Sequence, residues 1–177
     1  MLFFCQQFNV EGNVVADALD RILAQWQRER PDLDLFQMSL LGRFNRLGSI
    51  LGRRIHTPFA DFGLRPGEPD VLLTLRRAGA PYELTPGELS RSLMVTAGAV
   101  TNRVDRLVAK DLVTRRHDPD NRRSVLVALN AAGLELVDQA LPRHLANERE
   151  LLAPLSRTEQ QQLNRLLAKL LTAHEPE

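Results

Sequence analysis

LTPGELSRSLMVTAGAVTNRVDRLVAKDLVTRRHDPDNRRSVLVAL, residues 84–129, decides the fold. Thr85 offers a hydroxyl cap, Pro86 takes the first helical position, and Glu88 follows three residues after the cap, the spacing of a capping box. A helix is predicted from Pro86 to Leu93. A second start stands at Thr96, after which Val100, Val104, Leu107 and Val108 recur at the three- and four-residue steps of one buried stripe. The opposite face carries Gly98, Asn102, Asp105 and Arg106, with Thr101 at its margin. Leu112 to Thr114 then reads as a short strand and Val125 to Leu129 as its partner, joined by the turn-forming, basic run RRHDPDNRR.

Helix, turn, helix and basic-tipped hairpin, in that order, make a winged helix. Short hydroxyl and amide side chains near the start of the second helix reach base edges without holding the backbone out of a major groove. Taken alone they are equally the solvent face of any amphipathic helix. The hairpin tips the balance, because Arg115, Arg116, Arg122 and Arg123 bracket its tip with cations that pair with phosphate or enter a narrow minor groove. The candidate DNA contacts are Thr96, Ala97, Thr101, Asn102 and Arg106 of the helix, with Arg122 and Arg123 of the wing.

From Leu35 onward the chain resembles the MarR family of winged-helix transcriptional regulators. The resemblance is carried by Thr101 to Leu107 in the recognition helix, Leu112 to Arg115 in the strand, Asp118 to Arg123 in the wing, and Leu129 to Gly133 at the entry to the next helix. Two positions depart from the family pattern. Asn121 stands before Arg123 where an aspartate usually orients the tip arginine, leaving Asp120 or a neutral hydrogen bond to do so. Asp111 replaces the usual glycine after the recognition helix, a residue that tolerates a left-handed backbone less readily than glycine but better than most.

With 177 residues and 44% hydrophobic content the chain suits one compact domain. Its leucine, alanine and arginine content makes it mainly α with a small β-hairpin wing. Helices are predicted over Phe36 to His56, with Leu40, Phe44, Leu47 and Leu51 in a stripe and Pro58 marking the end, and over Pro66 to Ala78, closed by Gly79. Further helices run from an Asn130 cap through Leu151, with Pro142 a kink, and from a Ser156/Glu159 capping box through Leu163, Leu166, Leu167, Leu170 and Leu171. Tyr82 to Leu84 adds a short strand. Residues 64–129 form the DNA-reading lobe, and residues 10–57 and 130–177 the helical part that the family resemblance implies is a dimerisation region. A twofold dimer sets two recognition helices about one DNA turn, roughly 34 Å, apart and so selects a near-palindromic operator.

The net charge is only +1, but it is unevenly spread: Arg103 to Arg123 holds seven Lys or Arg against four Asp or Glu, and Glu135 to Glu177 five against seven. No run approaches the ~20 apolar residues of a membrane span, and the single cysteine, Cys5, fits a reducing cytoplasm. Cys5 is either an oxidant-sensing thiol, as in some members of the resembled family, or an ordinary thiol in the N-terminal tail. The histidines show no metal-ligand spacing, no cofactor motif is present, and neither a nucleophile with an adjacent base nor a phosphate-binding glycine loop marks an enzyme. A winged helix that binds protein instead of DNA remains the rival reading.

An added helix over residues 13–30 places Val15, Leu19, Ile22 and Trp26 on one face before Pro31 ends it. With the string from Trp26 to Asp34 it resembles the PecS and urate-responsive branch of the family. That resemblance implies a ligand site of Trp26, Asp70, Arg103 and Arg115, at which urate or another small anionic aromatic effector stacks on the indole and disturbs an Asp70–arginine pair behind the recognition helix. The plain alternatives are that Trp26 anchors its helix, Asp70 is a surface charge and the arginines contact phosphate.

Overall fold

The computed structural model describes residues 17–118, 121 and 124–175. Cys5, Val15, Asp120, Arg122 and Arg123 therefore lie outside the described residues. Contacts divide the chain into two compact units, Met1–Leu51 and Gly52–Glu177.

The first unit contains α1 (Ala18–Glu29) and most of α2 (Phe36–Arg54). Asp17 caps α1 in a capping box with Asp20, accepting from the Leu19 amide at 2.7 Å. Arg43 of α2 donates to both carboxylates, 2.8 Å from Asp17 Oδ2, and ties the two helices together. Leu19 packs over Gly42 so closely that a Cβ there would meet its Cδ2 at 2.8 Å. Of the expected α2 stripe, Leu40, Phe44 and Leu47 are each more than half exposed, with Phe36 and Leu41, whereas Leu51 is half-buried. Ile22 and Trp26 of α1 are also exposed.

The second unit continues with α3 (Thr57–Ala60), α4 (Glu68–Arg77), β1 (Glu83–Leu84), α5 (Pro86–Leu93), α6 (Ala97–Ala109), β2 (Val113–His117), β3 (Val125–Leu129), α7 (Ala131–Leu151) and α8 (Arg157–His174). Phe59, Leu72, Leu75, Leu89, Val100, Leu107, Val127 and Val137 interlock as its core. Burying each such side chain contributes about 1.5–3 kcal/mol, so these contacts dominate its stability. The Thr85/Glu88 capping box starts α5, Thr96 caps α6, Asn130 caps α7, and Ser156 with Glu159 starts α8.

Several expectations need correction. Val108 is 39% exposed rather than part of the buried stripe, because Val100, Val104 and Leu107 alone fill the inner face of α6. β2 begins one residue later than predicted and extends to His117, so Arg115 and Arg116 belong to the ladder, not the tip; β3 supplies partners for all five residues, from Val113↔Leu129 to His117↔Val125. β1 adds to the other edge of β3, giving the order β1-β3-β2. Pro58 does not simply end a helix: α2 stops at Arg54 and Pro58 sits in the first turn of α3, where its missing N–H costs nothing and its neighbour Phe59 is fully buried. α4 starts at Glu68, not Pro66, because Gly67 takes a left-handed φ of 85°. α7 meets the expectation, running from the Asn130 cap to Leu151 with Pro142 inside it.

Candidate nucleic-acid interface

α5 and α6 form the helix-turn-helix. The turn between them passes through Met94 at φ 52° and Val95, whose amide bonds the Ser90 carbonyl at 3.2 Å while Ser90 Oγ donates to the Val95 carbonyl at 2.5 Å. The buried Val100, Val104 and Leu107 turn the other side of α6 outward, and Ala97, Gly98, Thr101, Asn102 and Asp105 are exposed there. Thr96 Oγ1 accepts from the Ala99 amide at 3.3 Å, and Thr101 Oγ1 donates to the Ala97 carbonyl at 3.0 Å. Both hydroxyls are held in fixed rotamers at the start of the helix, with Asn102 beside them. An amide in that position can satisfy both the acceptor and the donor on an adenine edge.

The base of the wing is tied to this helix. Arg115 NH1 donates to Asp105, and its NH2 reaches the Thr101 carbonyl at 3.5 Å. Arg116 forms a fork on Glu83 of β1, with NH2 2.7 Å from Oε1 and Nε 3.1 Å from Oε2. Of the four cations expected at the tip, Arg115 thus ties the sheet to α6 and Arg116 ties β2 to β1 within it. Arg122 and Arg123 lie outside the described residues. Asp111 adopts the left-handed φ of 53° expected where the recognition helix ends, and Asn130 Nδ2 donates to its carbonyl at 2.7 Å.

Of the four candidate ligand residues the structure joins two. Asp70 on α4 accepts from Arg103 of α6 at 3.4 Å, with side-chain exposures of 33% and 21%. His56 Nε2 stands 3.4 Å from the other Asp70 oxygen. The Arg103 guanidinium crosses Gly67, where a Cβ would lie 2.5 Å from Nε, and the left-handed backbone at that position favours glycine. Arg115 turns to Asp105 instead of Asp70. Trp26 is on α1 in the first unit, 44% exposed.

Behind this pair the His56 ring stacks parallel on His144 of α7 at 5.8 Å, and Phe59 lies against His144 at 5.1 Å. His144 contacts the Ile55 carbonyl through Nδ1 at 2.9 Å and Glu148 through Nε2 at 3.2 Å. The periodicity of the sequence did not reveal this cluster, whose members lie in two segments far apart in the chain, 55–59 and 144–148.

Sequence reasoning also missed Glu68. Its carboxylate is fully buried and accepts from the Arg65 amide at 2.9 Å, from Arg106 Nε at 2.9 Å and from Lys110 Nζ. Burial pushes its carboxyl up, but Lys110, the Arg65 amide and Arg106 together outweigh burial and hold it below the usual carboxylate range. Arg106, expected on the groove face, is turned to this carboxylate. An acidic residue in a first helical turn is common, and nothing in the sequence singled this one out.

A helix-turn-helix with an outward amide- and hydroxyl-bearing helix, flanked by a hairpin, defines a winged-helix DNA-binding transcriptional regulator. The chain belongs to the MarR family. A profile described as MarR family matches residues 62–124. The HTH-type transcriptional regulator PecS of Dickeya dadantii (strain 3937) is 36% identical over 149 residues, spanning 84% of this chain and 90% of that protein. Among solved structures, a mutant MarR from E. coli complexed with operator DNA aligns with a TM-score of 0.68 and 31% identity, over 78% of this chain and 99% of its own. AbsC, a MarR family transcriptional regulator from Streptomyces coelicolor, shares the fold with a TM-score of 0.70 at 19% identity, over 80% of this chain and 95% of its own. Among the described residues no helix is long and apolar enough to cross a membrane, and no group of three or more His, Cys, Asp or Glu is placed to hold a metal ion.

Proposed function

We propose that the protein binds a near-palindromic operator as a homodimer and represses transcription until a small anionic aromatic ligand, urate or a close analogue, weakens the complex. Operator contacts are assigned to Thr96, Ala97, Thr101 and Asn102 from α6 and to Arg122 and Arg123 from the wing. The observation that carries the DNA reading is the exposed face of α6 over Ala97–Asn102, backed by a buried stripe that fixes its direction. The match to a regulator solved on operator DNA supports it.

Dimerisation is supported by apolar surface that one chain leaves uncovered: Leu166, Leu170 and Leu171 on α8 are 53%, 52% and 59% exposed. Side chains of this size are uncommon at such exposure in a row along one helix unless a partner covers them. A second copy is the occupant that also gives two recognition helices and a twofold operator.

The effector reading rests on the Asp70–Arg103 pair. An anionic ligand offers Arg103 a second acceptor, and the arm of the recognition helix that Asp70 holds is then released. The ligand must favour the DNA-incompetent state by about 1–3 kcal/mol to weaken operator binding 5- to 150-fold. Trp26 is assigned to ligand stacking by its likeness to the urate-responsive branch, and Arg115 by the same likeness.

A fluorescence titration of a labelled duplex from upstream of the protein's own gene, at two salt concentrations, with and without urate, tests the reading. Tight, salt-sensitive binding that urate weakens supports the whole of it. Binding unmoved by urate discards that ligand, and equal affinity for unrelated duplexes removes the operator assignment.

A further inference from the structure

We infer that Glu68 is the positioning residue of the recognition helix, and that Arg106 acts through the Glu68 carboxylate rather than on the DNA. The inference rests on the DNA-binding class of the fold and is independent of the effector reading.

The apolar stripe of α6 sets how deep the helix lies. Apolar contact is non-directional, so Val100, Val104 and Leu107 leave the tilt of the helix poorly defined. Charge-assisted hydrogen bonds are directional, and α6 makes two sets of them with the first turn of α4. One is the Asp70–Arg103 contact at 3.4 Å, partly exposed. The other is the Glu68 clamp, which is fully buried at the carboxylate and takes both cations from the last turns of α6, Arg106 and Lys110. Lys110 Nζ extends the clamp by donating to the Gly63 carbonyl at 2.7 Å, so α6, the loop before α4 and α4 itself meet at one carboxylate.

Every polar edge of Glu68 is engaged. Oε1 takes Arg106, and Oε2 takes the Arg65 amide and Lys110. The C-terminal half of α6 is thus fixed, while its N-terminal half carries the outward Thr101 and Asn102. A small change of tilt at the clamp moves those side chains off the base edges while leaving a charged, salt-sensitive surface in place. Discrimination between sequences therefore depends on Glu68 more than binding itself does.

The test uses the full-length protein, a duplex enriched from a random library by that protein, and a scrambled duplex of the same length. Arg106→Gln is expected to lower affinity for the enriched duplex by about 10-fold or more, the scale of one lost base-pair contact, with scrambled-duplex affinity within about twofold and the salt dependence unchanged. A salt slope reduced by about 0.9 shows Arg106 on a phosphate and overturns the inference. So does an equal loss on both duplexes, or no loss at all. Glu68→Gln is expected to reproduce the loss of discrimination. Should it fail to fold, Lys110→Met breaks the other arm of the clamp from a partly exposed position, and discrimination equal to the native protein's in that folded variant overturns the inference as well.

Discussion

The Asp70 carboxylate stands between an imidazole and a guanidinium, with one oxygen 3.4 Å from His56 Nε2 and the other 3.4 Å from Arg103 NH1. It thereby links the segment after α2 to the recognition helix. Asp70→Asn keeps the shape of the side chain and removes the charge that holds Arg103. Operator affinity is expected to fall by about 5- to 150-fold, as with a saturating effector, and urate is expected to add little further loss. A variant that binds as tightly as the native protein and still responds to urate places the switch elsewhere.

Trp26 is the chain's single tryptophan, so its fluorescence reports on α1 without ambiguity. Urate is expected to quench it in the native protein. Trp26→Phe is expected to keep operator binding and lose most of the urate response. Quenching absent at ligand concentrations that release DNA separates Trp26 from the ligand site.

Leu170→Glu places a charge on the half-exposed α8 row. Sedimentation equilibrium is expected to show a monomer where the native protein is a dimer, with operator affinity reduced by at least about 100-fold because only one recognition helix then engages per molecule. A native-like dimer in this variant removes α8 from the interface.

Arg122→Gln is expected to reduce the slope of log affinity against log salt by about 0.9, the value for one phosphate contact. An unchanged slope takes that residue off the DNA.

The cap of α5 carries a pH signature. The Thr85 backbone amide first, and its hydroxyl second, hold Glu88 below the usual carboxylate range. A carboxyl depressed in the native state stabilises fully above its unfolded pKa, and that contribution is lost as pH falls through the native value. Thr85→Ala is expected to cost about 1 kcal/mol at neutral pH. The gap in melting temperature between the variant and the native protein is expected to narrow in acid, and a gap independent of pH rules out the hydroxyl's share of the effect.

Local chemistry made much of the fold readable. The Thr85/Glu88 and Ser156/Glu159 boxes and the Thr96 and Asn130 caps were legible because each is a signal within four residues of its own position, and the left-handed Asp111 through its place in the family pattern. What stayed hidden depends on residues far apart in sequence. Arg115 and Arg116 looked like tip cations because the run has turn composition, whereas β3 offered them ladder partners and Asp105 and Glu83 offered them carboxylates. Periodicity put Arg106 on an outer face, and a carboxylate 38 residues away drew it back. The stripe of α2 was legible as apolar, but a stripe does not say whether its cover comes from the same chain.

At Leu112 the wing has a mechanical root. The Leu112 carbonyl accepts the Asn130 amide at 3.3 Å and lies where a Cβ on Gly133 would collide at 2.0 Å, so α7 begins hard against that root. From there β2 extends five residues, about 16 Å at the usual rise per strand residue. Over that length a turn of about 10° at Leu112 would correspond to roughly 3 Å at His117, and the ladder to β3 with the Arg115–Asp105 and Arg116–Glu83 pairs resists it. The reach of the wing is therefore set at a root that is itself buried, at Leu112 and Val113.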